Sequence, residues 1–162
     1  MKEKCCGIIA SPPLCFPWGY DEEDDGCGAL KIILFNHISL LRSEGLTEFA
    51  VVMDSGLGLY AAEIINALRE NDPAIQLTCI LPWEEQATKW TPELRERYFK
   101  ELVRCSNVSL VSTVQKPDSQ ISAMLNAIDM ADTIIAIEGE GNMLLSVALR
   151  YAEQMRKHAV LI

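Results

Sequence analysis

With 162 residues, 49% of them hydrophobic and 23% charged, the chain is long enough to bury a sizeable core and too apolar to be a disordered segment. Its net charge of -9 supplies few cations for releasing counterions from a phosphate backbone. That argues against nucleic acid as a partner and reads first as solubility. No apolar run approaches the roughly 18 residues of a membrane helix. The start, Met1-Lys2-Glu3-Lys4, does not open a signal peptide. The expectation is a cytoplasmic protein with no membrane partner.

Strand and helix patterns alternate along the chain. Residues 5–10 read as a short buried strand. Residues 11–25 form a loop of prolines, glycines, acids and the aromatics Phe16, Trp18 and Tyr20. Its acidic run Asp21-Glu22-Glu23-Asp24-Asp25 is read as a solvated stretch before a helix, because acids favour helix amino ends, rather than as a metal site. Residues 28–43 are helical, with Leu30, Ile33, Leu34, Ile38 and Leu41 at helical spacing and Gly45 suited to the end. A second strand spans 49–53. A helix over 57–70 follows, with Ala61, Ile64, Ile65 and Leu68 on one face. Residues 75–81 make a third strand, stopped by Pro82.

Pro92 fits the first turn of a helix over 92–104, and 108–112 reads as a fourth strand. Asp118 or Ser119 is placed to cap a helix over 121–130. Residues 133–137 form a fifth strand, 142–157 the last helix and 159–162 the last strand. Apolar strands separated by helices imply a parallel sheet covered on both faces. The fold class is therefore α/β, a Rossmann-like three-layer sandwich with a mainly parallel sheet of about six strands. It is read as a single domain over 1–162.

In such a sheet, ligands bind beyond the carboxyl ends of the strands. Two strand-to-helix junctions there are rich in glycine. In Met53-Asp54-Ser55-Gly56-Leu57-Gly58 the glycines allow close backbone approach, and the helix start offers unpaired N–H groups to a phosphate. Ser55 adds a hydroxyl. The stretch carries neither a full G-x-G-x-x-G fingerprint nor a Walker lysine. The second junction is Ile137-Glu138-Gly139-Glu140-Gly141-Asn142. Both junctions are expected to converge on one crevice. Glu138 and Glu140 would oppose a bare phosphate there, but a carboxylate can bind ribose hydroxyls or act as a general acid or base. Trp83 and Trp90 either stack on a base or lid the core.

The six cysteines contain no C-x-x-C pair, and His37 and His158 lie far from them, so no zinc signature is present. Cys5, Cys6 and Cys79 fall in strand patterns, where a thiol acts as a small hydrophobe. Cys15 and Cys27 flank the acidic loop and are the pair singled out for redox chemistry.

The stretch Pro82-Trp83-Glu84-Glu85-Gln86 with Trp90, and the run Ser55-Gly56-Leu57-Gly58-Leu59-Tyr60-Ala61-Ala62-Glu63, resemble the SLOG superfamily, closest to its YpsA-like branch. Asp129 and Asp132 also fit. The superfamily includes DprA and the Lonely Guy phosphoribohydrolases. The resemblance implies a shared nucleotide pocket, with Ser55, Gly56 and Gly58 on one side and Gly139, Gly141 and Asn142 on the other. Ser11, Trp83, Gln86 and Trp90 are expected to form its wall or lid. The Lonely Guy motif Pro-Gly-Gly-x-Gly-Thr-x-x-Glu is not kept. Glu138-Gly139-Glu140-Gly141-Asn142-Met143 has no threonine, and no arginine stands at Ala123 or Met124. The first loop reads Ala10-Ser11-Pro12-Pro13, which weakens a phosphate clamp.

The leading expectation is a binding or sensor domain for a nucleotide, ADP-ribose or an NAD-like ligand, without strong catalysis. Three alternatives stand beside it. One is a nucleoside-monophosphate N-glycosidic hydrolase using Glu138 or Glu140. Another is a DprA-like accessory that stacks single-stranded DNA on Trp83 and Trp90. The last is an interaction module with an empty pocket, pairing as a homodimer.

Overall fold

The computed structural model describes residues 4–141 and 143–162. In chain order the elements are β1 (Cys5–Ala10), α1 (Asp25–Ser43), β2 (Glu48–Val52), α2 (Leu57–Arg69), β3 (Gln76–Leu81), α3 (Pro92–Arg104), β4 (Asn107–Leu110), α4 (Ser119–Met130), β5 (Thr133–Ile137), α5 (Met143–Gln154) and β6 (His158–Leu161). The strands form one sheet in the order β4-β3-β2-β1-β5-β6, and every pairing is parallel. This is the Rossmann-like three-layer α/β arrangement the alternating pattern predicts.

The two-residue period of the strands divides the core. Ile8, Phe49, Val51, Leu77 and Ile135 pack with α1, α2 and α3 on one face. Ile9, Ala50, Val52, Ile80 and Ile134 pack with α4 and α5 on the other. Burying each such aliphatic or aromatic side chain is worth about 1.5–3 kcal/mol. At Gly7 the backbone of α4 comes very close: a Cβ there would lie 2.9 Å from the Ala127 carbonyl oxygen. Asp132 secures the start of β1 by accepting the Lys4 and Cys5 amides at 2.8 and 3.1 Å. Asp129 accepts the Tyr151 hydroxyl at 2.6 Å.

Several expected boundaries move for local reasons. Helix α1 starts at Asp25, before its apolar pattern begins, because Asp24 accepts the Gly26 amide and caps it. Its buried residues are Cys27, Leu34 and Ile38, a narrow stripe; Ile33 is 42% exposed rather than on the core face. Asp118 stands at the N-cap of α4 but its side chain caps nothing. Ser119 Oγ instead accepts the Lys116 amide. Helix α5 ends at Gln154, and Arg156 takes a left-handed φ of 58° as the chain turns toward β6. Strands β4 and β6 are largely exposed, unlike the apolar inner strands, since each has a neighbour on one side only. No helix among the described residues is long and apolar enough to cross a membrane.

Candidate functional site

The strand order reverses between β1 and β5, so the loops after β1, β2, β3 and β5 share one rim of the sheet. Both glycine turns lie on that rim. The crevice expected between them, however, is filled by the loop after β1. A 3-10 turn at Pro13–Cys15 wedges into it. A Cβ on Gly56 would lie 2.5 Å from Pro13 Cγ, and one on Gly139 would lie 2.6 Å from the Cys15 carbonyl oxygen. The Glu140 amide donates to that same oxygen at 2.8 Å. Ser11, expected in the pocket wall, is wholly buried. Its amide donates to the Ile137 carbonyl at 2.9 Å, and its hydroxyl accepts the Gly139 amide at 3.0 Å. These two glycines therefore serve chain-on-chain packing, and two hollows replace the one predicted.

The outer hollow, about 710 Å³, holds Glu138, Gly139, Glu140 and Gly141 opposite Cys15 and Trp18. Asn142 lies outside the described residues. The other side is a groove made of two adjoining hollows. The deeper, about 270 Å³, is lined by Asp54, Ser55, Trp83, Gln86, Trp90 and Gln120, among others. The neighbouring one, about 470 Å³, includes Glu22, Lys89, Glu93 and Arg97. Tyr20, Ser55 and Trp90 line both.

Asp54 is the residue that sequence reasoning passed over. It follows β2 directly, and its Oδ1 accepts the Gly56 and Gly58 amides at 2.7 and 2.9 Å. The helix-start amides expected to grip phosphate are thus occupied by this carboxylate. Burial pushes the Asp54 pKa up to about 6, although hydrogen bonds from the amides of Gly56, Gly58 and Leu59 pull the other way. The available signal was an acid placed between an all-apolar strand and a Ser-Gly turn.

Around Asp54 the partners hold one another. The Ser55 and Tyr20 hydroxyls hydrogen-bond at 2.9 Å. Buried Gln86 donates through Nε2 to the Met53 carbonyl at 3.2 Å and to the Tyr98 hydroxyl at 3.0 Å. Trp90 meets the Tyr98 ring edge-on at 4.9 Å. At the other end of the groove Arg97 grips Glu22 at 2.7 and 2.9 Å and Glu63 at 2.7 and 3.1 Å. The Arg97 hydrogen bond, then Lys31, holds the Glu22 carboxyl below its usual range. Part of the acidic run thus folds back as an ion-pair partner instead of standing in solvent.

The Pro82–Trp90 stretch and the turn before α2 therefore meet at one groove. A family model described as the YspA SLOG family, YpsA, matches residues 14–159. The chain belongs to the YpsA family of SLOG proteins. Among relatives it resembles, the UPF0398 protein of Lysinibacillus sphaericus is 26% identical over 98 residues, 60% of this chain and 54% of that protein. The UPF0398 protein of Halalkalibacterium halodurans is 32% identical over 73 residues, 45% of this chain and 39% of that protein. One from Bacillus cereus is 22% identical over 123 residues, 75% of this chain and 67% of that protein. This YpsA-family chain spans about half the length of the first relatives it matches.

The thiols of this YpsA-family chain sit in different surroundings. No hydrogen bond joins Cys15 to Cys27 among the described residues; Cys27 is wholly buried, and burial raises its pKa. The Cys105 thiol, after α3, meets the Leu102 and Asn107 carbonyls, each at 3.2 Å, and the neighbouring Cys79 thiol of β3 holds its pKa below the usual range. Cys105 is expected to react with iodoacetamide at pH 7 several-fold faster than the other cysteines, and Cys79→Ala to slow it. Uniform labelling by mass spectrometry would contradict this.

Proposed function

We propose that this chain binds a nucleotide or nucleotide derivative in the groove over β2 and β3, as a sensor or carrier domain without strong catalysis. The supporting observation is the groove itself. It joins an aromatic hollow holding Trp83 and Trp90 to a neighbour that contains Lys89 and Arg97. A flat base suits the indoles; the neighbouring hollow also holds Glu22 and Glu93, and Arg97 is engaged by Glu22 and Glu63, so exposed Lys89 is the cation placed to meet an anionic group. The outer hollow, with Glu138 and Glu140 among its lining and no lysine or arginine among its described residues, supports phosphate less well.

The test is calorimetry and thermal shift with nucleoside monophosphates, ADP-ribose and NAD. Trp83→Ala is expected to weaken binding by about 1–3 kcal/mol, the usual worth of a base–aromatic stack. If no member of the panel binds, the proposal fails.

A further inference from the structure

The deeper hollow is unusual in its hydrogen-bonding character. Gln86 must present its NH₂ to Met53 and Tyr98, because the Met53 carbonyl only accepts. That leaves Oε1 as the acceptor remaining on this buried amide. Asp54 accepts from three backbone amides, and a carboxylate has about four acceptor positions, so at least one is left for a ligand. The residue is partly open and lines the hollow. The Ser55 and Tyr20 hydroxyls are engaged with each other and adapt to either role. No lysine, arginine or histidine lines the hollow among the described residues. Gln120, also in the lining, can donate or accept; the acceptors that the fold fixes, Asp54 and Gln86 Oε1 beside two indole rings, call for a flat ligand edge that donates.

We propose that this hollow reads the amino-bearing edge of a nucleobase, with Asp54 as the principal acceptor and Gln86 Oε1 as its companion. This deepens the nucleotide reading and rests on it. A charged acceptor paired with a ligand donor discriminates, because the analogue without the donor displaces water from the hollow and leaves the remaining acceptor position of Asp54 unmet. Ionised Asp54 is the competent form, so the discrimination grows as pH rises through about 6.

The experiment compares adenosine 5′-monophosphate with purine riboside 5′-monophosphate, which lacks only the amino group, by calorimetry at pH 5 and pH 8. The intact chain is expected to prefer the amino compound by at least about tenfold at pH 8 and by less at pH 5. Asp54→Asn keeps an oxygen for the Gly56 and Gly58 amides and so retains the turn, but it is expected to lose the preference. Trp83→Ala is expected to weaken both ligands alike. Equal binding of the two compounds to the intact chain, or a preference that survives in Asp54→Asn, overturns this inference and leaves the nucleotide reading standing. Binding of neither compound overturns both.

Discussion

Gly58→Ala is expected to destabilise the protein by about 3 kcal/mol, the upper end of the cost of overpacking. A Cβ at this position collides with the Val52 carbonyl oxygen, with Asp54 Oδ1 close behind. Neither obstacle is free to swing aside. Val52 is the last residue of β2, and the next amide, Met53, donates to the Ile80 carbonyl of β3 at 2.9 Å. Asp54 is held by the same amides that the methyl group would push away. For a chain of this size such a loss lowers Tm by about 6–12 °C. Gly28→Ala is the control. It stands in α1 with nothing within 4 Å of an added Cβ, so it is expected to stabilise by about 0.5–1 kcal/mol. Thermal and urea unfolding of the two variants check both values. An unchanged Tm for Gly58→Ala would mean that the turn before α2 is loose and Asp54 is not fixed.

Asp54→Asn is expected to be more stable than the natural chain at neutral pH and to lose that advantage in acid. Burial raises the folded pKa of Asp54 from an ordinary 3.8 to about 6. A raised carboxyl pKa means that the folded state keeps its proton after the unfolded state has lost it. The contribution of Asp54 to stability is therefore most favourable below 3.8, falls as pH rises through the window, and carries the full cost above about 6. The gap corresponds to about 3 kcal/mol. Urea titrations at pH 3.5 and pH 7.5 should show the difference between the two proteins moving toward the asparagine variant by about this amount. A difference that stays flat across the window would show that Asp54 titrates as an ordinary carboxylate, ionised at both pH 5 and pH 8, which would remove the pH dependence of its discrimination. The same cost gives the site its chemistry, since a donor brought by a ligand offsets part of the penalty of holding this carboxylate in place.

Much of the site's raw material was legible along the chain. The glycine turns, the Pro82–Trp90 stretch and the strand ends that carry them all appear where their local patterns put them. Trp83, Gln86, Trp90 and Ser55 do line one groove. Gly139 and Gly141 do not join them, because Pro13 and Cys15 stand between. Glycine-rich turns look alike in sequence whether they admit a ligand or a neighbouring loop. Only the packing of the loop after β1 distinguishes the two. Likewise Asp54 reads as an ordinary turn acid until its surroundings are known.

What the sequence determined by itself was the layering. Two-residue and 3.6-residue apolar periods, with proline and glycine as punctuation, are local properties that dictate strands, helices and a parallel sheet covered on both faces. The tertiary structure decided which groups meet. Ser11 reaches Gly139 across 128 positions and Arg97 reaches Glu22 across 75. Such encounters, the raised pKa of Asp54 and the lowered one of Cys105 depend on distance and burial. Neither quantity is encoded in the spacing of residues along the chain.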